Sequence, residues 1–492
     1  ISKKLFSQIK PSRTQILING KFINSVSGKT FDTINPSTQE VICKVQEGDK
    51  QDIHNAVVNS KNTFEKGPWN DMTAFERGKT LNRIADLMEK NRDELAGLEA
   101  LDNGKPKKIA NAADLQMSID TFRYYAGWAD KFTGKLTQHS KMKDSFCYTV
   151  NEPVGVVGAI IPWNFPITMA SWKIAPCLSM GNTIVVKPAE QTPLSILRLG
   201  ELALEAGLPE GVLNIVPGYG PTAGAALANH PLVDKVAFTG SSEIGLEIMR
   251  NCHASRLKRV TLELGGKSPN IILDDANLDL AVEQASMALF FNNGQCCVAG
   301  SRTFVHESIY DEFVKRVTEI AAKQKLGSPF DNSTDQGPLV DKDQHNKYQH
   351  YVASGIKEGA KLMTGGKVPE GKGFFAQPTV FADVKDEMEI AKEEIFGPVM
   401  SILKFKTLDE VIERANNTAY GLGAGVVGSD INKVNYVVKK LRVGQVYVNS
   451  YNSFDVSTPF GGFKNSGIGR ELGENGLFQY VEPKTVIIPS TL

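Results

Sequence analysis

A chain of 492 residues is too long for one ordinary core and implies two or three domains. Its 55 Lys+Arg balance 55 Asp+Glu, so there is no basic field to draw nucleic acid or an anionic membrane surface. A membrane span needs roughly 20 apolar residues; the most apolar run, 154–161, is far shorter.

In chain order, residues 73–101 read as an amphipathic helix, with Leu81, Ile84, Leu87, Met88 and Leu95 spaced among charges. From 154 onward, short β-branched runs alternate with helical segments: 154–161, 182–187, 212–216, 235–239, 259–264 and 270–273. Strand–helix–strand units of this length predict a parallel, doubly wound α/β sheet. Runs at 302–305, 399–405, 423–427 and 444–448 predict a second α/β domain, with a cysteine loop near its start. Two stretches, 145–152 and 485–489, fit neither sheet. They read as exposed strands in want of partners, which favours an oligomer.

Cysteines stand at 43, 147, 177, 252, 296 and 297, without a disulfide framework. Adjacent cysteines bridge poorly, so mostly free thiols in a reducing compartment are expected. The chain begins at Ile1, and the expected location is the cytoplasm, or the mitochondrial matrix if a presequence has been cut away. Histidines at 54, 139, 230, 253, 306, 345 and 350 lie in polar settings with no paired spacing. That pattern argues against a zinc site and against a Cys–His protease.

The chemistry concentrates in a few loops. Cys296-Cys297 lies between Gly294 and Gly300, where no periodic pattern calls for an apolar residue, so a nucleophile in a tight loop competes with a small buried thiol. Glu263 sits between two leucines, 34 residues before Cys297 (297 − 263), and could serve as a separate base. Asn164, in Pro162-Trp163-Asn164-Phe165-Pro166, either donates to a developing oxyanion or fills a proline-bounded turn.

For a nucleotide, Gly240-Ser241-Ser242 follows an apolar run and opens a helix, which is either an anion seat or an ordinary N-cap. Glu190, just beyond the run 182–187 that ends in Lys187, either accepts from a ribose, where a carboxylate favours NAD over NADP, or sits in the first turn of a surface helix. Gly218-Tyr219-Gly220-Pro221-Thr222-Ala223 has the G-x-G-x-x-A shape, yet Pro221 alters the turn and no clear acidic partner follows. Glu394 and Phe396 offer a carboxylate and an aromatic at a strand entrance, or simply end a helix.

Taken together, the segments 162–166, 238–245, 261–270, 290–302, 391–398 and 459–471 resemble the NAD(P)-dependent aldehyde dehydrogenase superfamily, nearest its cytosolic and mitochondrial tetrameric class, which includes retinal dehydrogenases. The resemblance spans almost the whole chain. It implies two Rossmann-type domains and a small β arm: a cofactor domain of 1–137 and 154–265, a catalytic domain of 266–465, and an oligomerisation arm of 138–153 with 466–492. It implies NAD as cofactor, a small aldehyde as substrate, no metal, and a homotetrameric dimer of dimers.

By the same resemblance, Cys297 is the nucleophile, Glu263 the general base, and Asn164 with the Cys297 amide the oxyanion hole. Ile160, Trp163, Lys187, Glu190, Gly220, Gly240, Ser241, Glu394 and Phe396 fall on the cofactor site. Met117, Phe165, Trp172, Cys296, Phe454 and Phe460 fall on the substrate tunnel. The implied reaction runs through a thiohemiacetal and a thioester, which Glu263 helps water to hydrolyse. Aromatic walls favour an apolar aldehyde, and Met117 disfavours one as large as retinal. Asn293, where Gln or Ala is commoner, and Val298, where some relatives have a third cysteine, depart from the pattern without removing a catalytic group. The non-enzymatic alternative is a crystallin-like structural protein with weak or no activity. A CoA-acylating relative is disfavoured by Glu263, and a carboxylate-bearing substrate by the lack of arginine near 454–460.

Overall fold

The computed structural model describes residues 10–142, 145–252 and 256–489. His253 and the outermost residues of the expected arm lie outside them. The first sheet has eight strands, in the order Gly467–Ile468, Arg259–Glu263, Lys235–Thr239, Val156–Ile160, Thr183–Lys187, Leu213–Ile215, Ile16–Ile18 and Lys21–Ile23. The five strands from Arg259–Glu263 to Leu213–Ile215 are parallel. Val156–Ile160 and Thr183–Lys187 are buried along their whole length. Helices cover both faces of such a sheet, which is why these strands read as continuous apolar runs.

The chain runs outward from Val156–Ile160 through Thr183–Lys187 to Leu213–Ile215, then crosses back to lay Lys235–Thr239 on the other side of Val156–Ile160. The strand order reverses there, and a crevice opens at the carboxyl ends of these strands. Ile161–Phe165 and Gly240–Ser241 emerge into it.

The second sheet has seven strands, with Pro269–Ile272 between Arg302–His306 and Gly423–Val427, all three parallel. A further strand, Val399–Phe405, pairs with Arg302–His306. The cysteine loop and the Glu394 loop enter Arg302–His306 and Val399–Phe405 at their amino ends. They therefore face the carboxyl ends of the first sheet's strands.

The two orphan strands are each other's partner. Phe146–Pro153 and Val481–Ile488 pair antiparallel over eight residues, and Leu136–Thr137 adds a third, short strand. This small sheet thus begins before residue 138. Its boundary also differs at the other end, because Gly467–Ile468 joins the first sheet against Leu262 and Glu263. Gly467 makes that close approach possible, since a β-carbon there would lie 2.3 Å from the Leu262 carbonyl oxygen. The helix expected over 73–101 is two helices, Ala74–Lys90 and Arg92–Asn103, parted at Asn91. Thr73 and Glu76 form a capping box at the first, and Gly104 in the left-handed region stops the second. His54 and His230, remote in sequence, meet with ring nitrogens 3.1 Å apart. No helix is long and apolar enough to cross a membrane among the described residues.

Candidate active site

A cavity of about 690 Å³ lies where the two sheets face each other. The loop 161–165 enters it from Val156–Ile160, and Pro166 then starts a wholly buried helix, Pro166–Ser179. The Asn164 side chain donates to the Gln295 carbonyl at 3.1 Å. A primary amide carries two N–H groups, so one remains to donate into the cavity. The Asn164 carbonyl itself accepts from Lys105 Nζ at 3.0 Å and from Asn292 Nδ2 at 3.1 Å.

The cysteine loop is built from unusual backbone. After the helix Leu278–Phe290, three consecutive residues, Asn292, Asn293 and Gly294, have φ of 51°, 57° and 69°. Non-glycine residues enter this region at a cost, and asparagine least reluctantly. Asn293 recovers part of it by donating to the Gly337 and Pro338 carbonyls at 3.1 and 2.9 Å. Gly294 is pressed against the loop that carries Glu394 and Phe396: a β-carbon on it would lie 2.2 Å from the Gly397 carbonyl oxygen. The turn presents Cys297 partly open to the cavity and leaves Cys296 buried beside it.

The two thiols share a hydrogen bond, which draws Cys296 down, helped by the Val298 amide and the Lys105 ammonium. The same bond pushes Cys297 well above the ordinary thiol range, and burial and the charges of Cys296, Glu394 and Glu263 add to the push. Glu263 therefore cannot stabilise a Cys297 thiolate by charge. It can take a proton. Burial, then the neighbouring Glu471, raises Glu263 well above the carboxylate range, against the pull of Lys173 and Arg470. Its Oε2 is buried without a hydrogen-bond partner among the described residues. Gly461 leaves room for it, because a β-carbon there would come within 2.8 Å of Glu263 Oε1.

At the other end of the cavity, Ser241 caps the ten-residue helix Ser242–Asn251, accepting from the Ile244 amide at 3.3 Å. Glu394 accepts from the Gly266 amide at 2.9 Å, and Gly265 has no room for a side chain, since a β-carbon would fall 2.1 Å from Glu394 Oε2. Burial raises Glu394 to about 7, against the Gly266 hydrogen bond and the Lys267 and Lys347 charges. Phe396, at φ 56°, meets the edge of Trp163 with ring centroids 5.3 Å apart.

Cys297, Glu263 and Asn164 all line this cavity, as do Trp163, Gly240, Ser241, Glu394 and Phe396, and all six residues expected in the tunnel. Trp172 and Phe460 pack edge to face at 5.1 Å, and Phe454 lies 5.8 Å from Phe460. Ile160, Lys187, Glu190 and Gly220 do not line it. Ile160 is buried in the core with Val185 and Val236. Lys187 pairs with Glu190 at 3.2 Å and donates to the Gly218 carbonyl at 2.6 Å, at the ends of neighbouring strands of the same crevice. Gly220 opens a π-helical turn, Gly220–Gly224, with free space where a side chain would stand.

A model of the aldehyde dehydrogenase family matches residues 22–486. The chain belongs to the aldehyde dehydrogenase family. It is an oxidoreductase that acts on aldehydes. It is 58% identical over 475 residues to the human protein named mitochondrial aldehyde dehydrogenase, covering 96% of this chain and 92% of that one. It is 57% identical over 476 residues to human retinal dehydrogenase 2, with the same coverage. A Bacillus cereus aldehyde dehydrogenase solved as an NAD+ complex superposes with a TM-score of 0.97 at 49% identity, over 100% of this chain and 99% of that one. A Staphylococcus aureus betaine aldehyde dehydrogenase in complex with NAD+ gives 0.96 at 41% identity, over 99% and 97%.

In this aldehyde dehydrogenase several residues at the site were not legible in the sequence. Lys173 forms an ion pair with Glu471 at 2.7 Å behind Glu263 and donates to Thr239 at 2.8 Å. A lone lysine in an otherwise apolar helix was a usable signal. Phe291 stacks on Phe165 at 6.0 Å, and Tyr451 donates to the Val298 carbonyl at 2.8 Å. Neither stands out in sequence, because aromatic residues are as much at home in an ordinary core.

Proposed function

We propose that this enzyme oxidises small to medium apolar aldehydes to carboxylic acids through a covalent Cys297 adduct, with NAD as cofactor. The observation that carries the reading is the convergence of Cys297, Glu263 and Asn164 on one aromatic-walled cavity. The residues around it suit NAD. The amides at the N-terminus of the helix at Ser242 would face a pyrophosphate, beside Gly240, whose own amide donates to the Glu263 carbonyl at 3.1 Å. Glu394 would offer a carboxylate to a ribose, and Lys187 with Glu190 a second ribose contact. When bound, NAD supplies the hydride acceptor and a positive ring that opposes the carboxylates' push on the thiol.

The chain's own groups do the rest. Cys297 attacks the aldehyde carbon as its thiol proton passes to solvent water in the cavity, and the new alkoxide takes hydrogen bonds from Asn164 and the Cys297 amide. One such donor is worth about 3–4 kcal/mol in comparable sites. Loss of hydride from that adduct leaves a thioester on Cys297. Glu263, its Oε2 uncommitted, takes a proton from water, the hydroxide adds to the thioester carbonyl, and Asn164 again holds the oxyanion until the thiolate leaves with the acid as product.

Met117, Trp172, Phe165 and Phe460 narrow the path to Cys297, which favours a slim chain over a bulky one. Protein mixed with NAD and propanal gives NADH absorbance, with a kcat/KM above that for retinal; a higher value for retinal overturns the substrate reading. Cys297→Ala abolishes this turnover, while Cys296→Ala mainly shifts preference among aldehydes; equal loss in both undoes the division of labour. The relatives named above carry enzyme names, which supports catalysis over the crystallin-like reading.

A homotetramer is supported by the small sheet, whose Leu136, Phe146, Val150, Ile487 and Ile488 are exposed. Residence in the mitochondrial matrix, rather than the cytoplasm, is supported by the mitochondrial name of one relative, and subcellular fractionation tests it.

A further inference from the structure

Beside the oxyanion loop lies a second buried constellation that the reaction as described does not use. Lys105 and Asp114 form an ion pair, each side chain about 1% exposed. The Lys105 ammonium also donates to the Asn164 carbonyl at 3.0 Å and lies 4.2 Å from the centroid of Phe165. Two residues earlier, Asn103 Nδ2 donates to the Trp163 carbonyl at 2.7 Å. Glu99, on the same helix as Asn103, accepts from the Ile167 amide at 3.3 Å. One short segment thus grips the end of the loop and the first turn of the helix Pro166–Ser179 at three backbone groups.

Asp114 reaches Lys105 by way of a π-helical turn, Ala110–Leu115, followed by the helix Gln116–Trp128. Such turns cost hydrogen-bond quality and cluster at functional sites. A buried ion pair is likewise a poor way to gain stability, because desolvation consumes most of the Coulomb energy. Two costly devices meeting at one carbonyl call for a reason other than folding.

We propose that the Lys105–Asp114 pair is a positioning device for the oxyanion donor: Asp114 holds the ammonium, and the ammonium holds the Asn164 peptide so that its side-chain amide stays aimed at the reacting oxygen. The proposal rests on the reading of Asn164 as that donor. Asn292 grips the same carbonyl at 3.1 Å and the Gln295 carbonyl at 3.1 Å, so the peptide is held from the cysteine loop as well. The device therefore sets the oxyanion donor and the nucleophile loop relative to each other. Lys105 and Asp114 are not catalytic residues in this account, because they act through Asn164.

The test is a cycle of variants in the full-length enzyme: Lys105→Met with Asp114→Leu, Asn164→Ala, and all three together. Replacing both partners leaves neither member of the pair unpaired, Glu99 being the one buried acid nearby that loses the Lys105 charge, and the fold is checked by its melting transition. The expected result for the pair variant is a fall of about tenfold or more in kcat/KM for propanal, within the range set by loss of a whole donor, with NAD affinity measured by calorimetry unchanged. In the Asn164→Ala background the pair variant costs little further, because its route to the reaction is already gone. A folded pair variant with full kcat/KM, or a loss undiminished in the Asn164→Ala background, overturns the proposal. Full kcat/KM in Asn164→Ala alone overturns the oxyanion reading instead. If the pair variant fails to fold, Asp114→Asn keeps the shape, removes the charge that holds Lys105, and is read by the same criteria.

Discussion

Among single residues, Glu263 makes the sharpest demand on solution conditions. Burial and Glu471 raise it well above the ordinary carboxylate range. A raised acid is protonated at lower pH and cannot accept a proton from water, so the hydrolytic step gains rate as pH rises toward its folded pKa. The expected kcat profile has an ascending limb displaced upward from that of a free glutamate. Glu263→Gln should give a burst of NADH limited to one turnover per site, followed by slow release, when followed by stopped flow. A residual steady state that keeps the same ascending limb would show that another group is the base. Glu263 was legible in sequence as a lone carboxylate between leucines. Lys105 and Asp114 were not, because the burial of a polar side chain depends on partners that the chain brings up from elsewhere in the fold.

Among elements, the cysteine loop is the one held in place most expensively. Gly294 combines φ of 69° with a backbone contact that excludes a β-carbon. Gly294→Ala is expected to cost at least about 2 kcal/mol by denaturant titration and to lower kcat/KM with it. Gly127→Ala is the control. That glycine is in a helix with nothing within 4 Å of a β-carbon, so the change should stabilise by up to ~1 kcal/mol. Gly294 announced itself in the sequence, whereas Asn292 and Asn293 did not, since asparagine enters the left-handed region without being obliged to. The parallel strands were legible for the opposite reason: burial on both faces leaves an apolar run of the right length. Lys235–Thr239 and Val399–Phe405 were delimited to the residue.

For the whole molecule, the small sheet is the element with a bare edge. Val481–Ile488 pairs on one side only, and its neighbours expose apolar side chains. If the proposed homotetramer forms through this sheet, deleting the residues after Tyr480 gives a smaller species in light scattering, with loss of solubility at higher concentration. Retention of the full assembly would place the interface elsewhere. Sequence identified both segments as strands without a place, and could not say that they pair with each other, because Val481 lies 328 positions after Pro153 (481 − 153). The contact between His54 and His230 escaped for the same reason.

The abutment of Gly294 on the Gly397 carbonyl has a mechanical meaning as well as a spatial one. Two loops that leave no room for a methyl group between them cannot shift independently. A displacement of the Gly397 peptide would press directly on Gly294, three residues before Cys297.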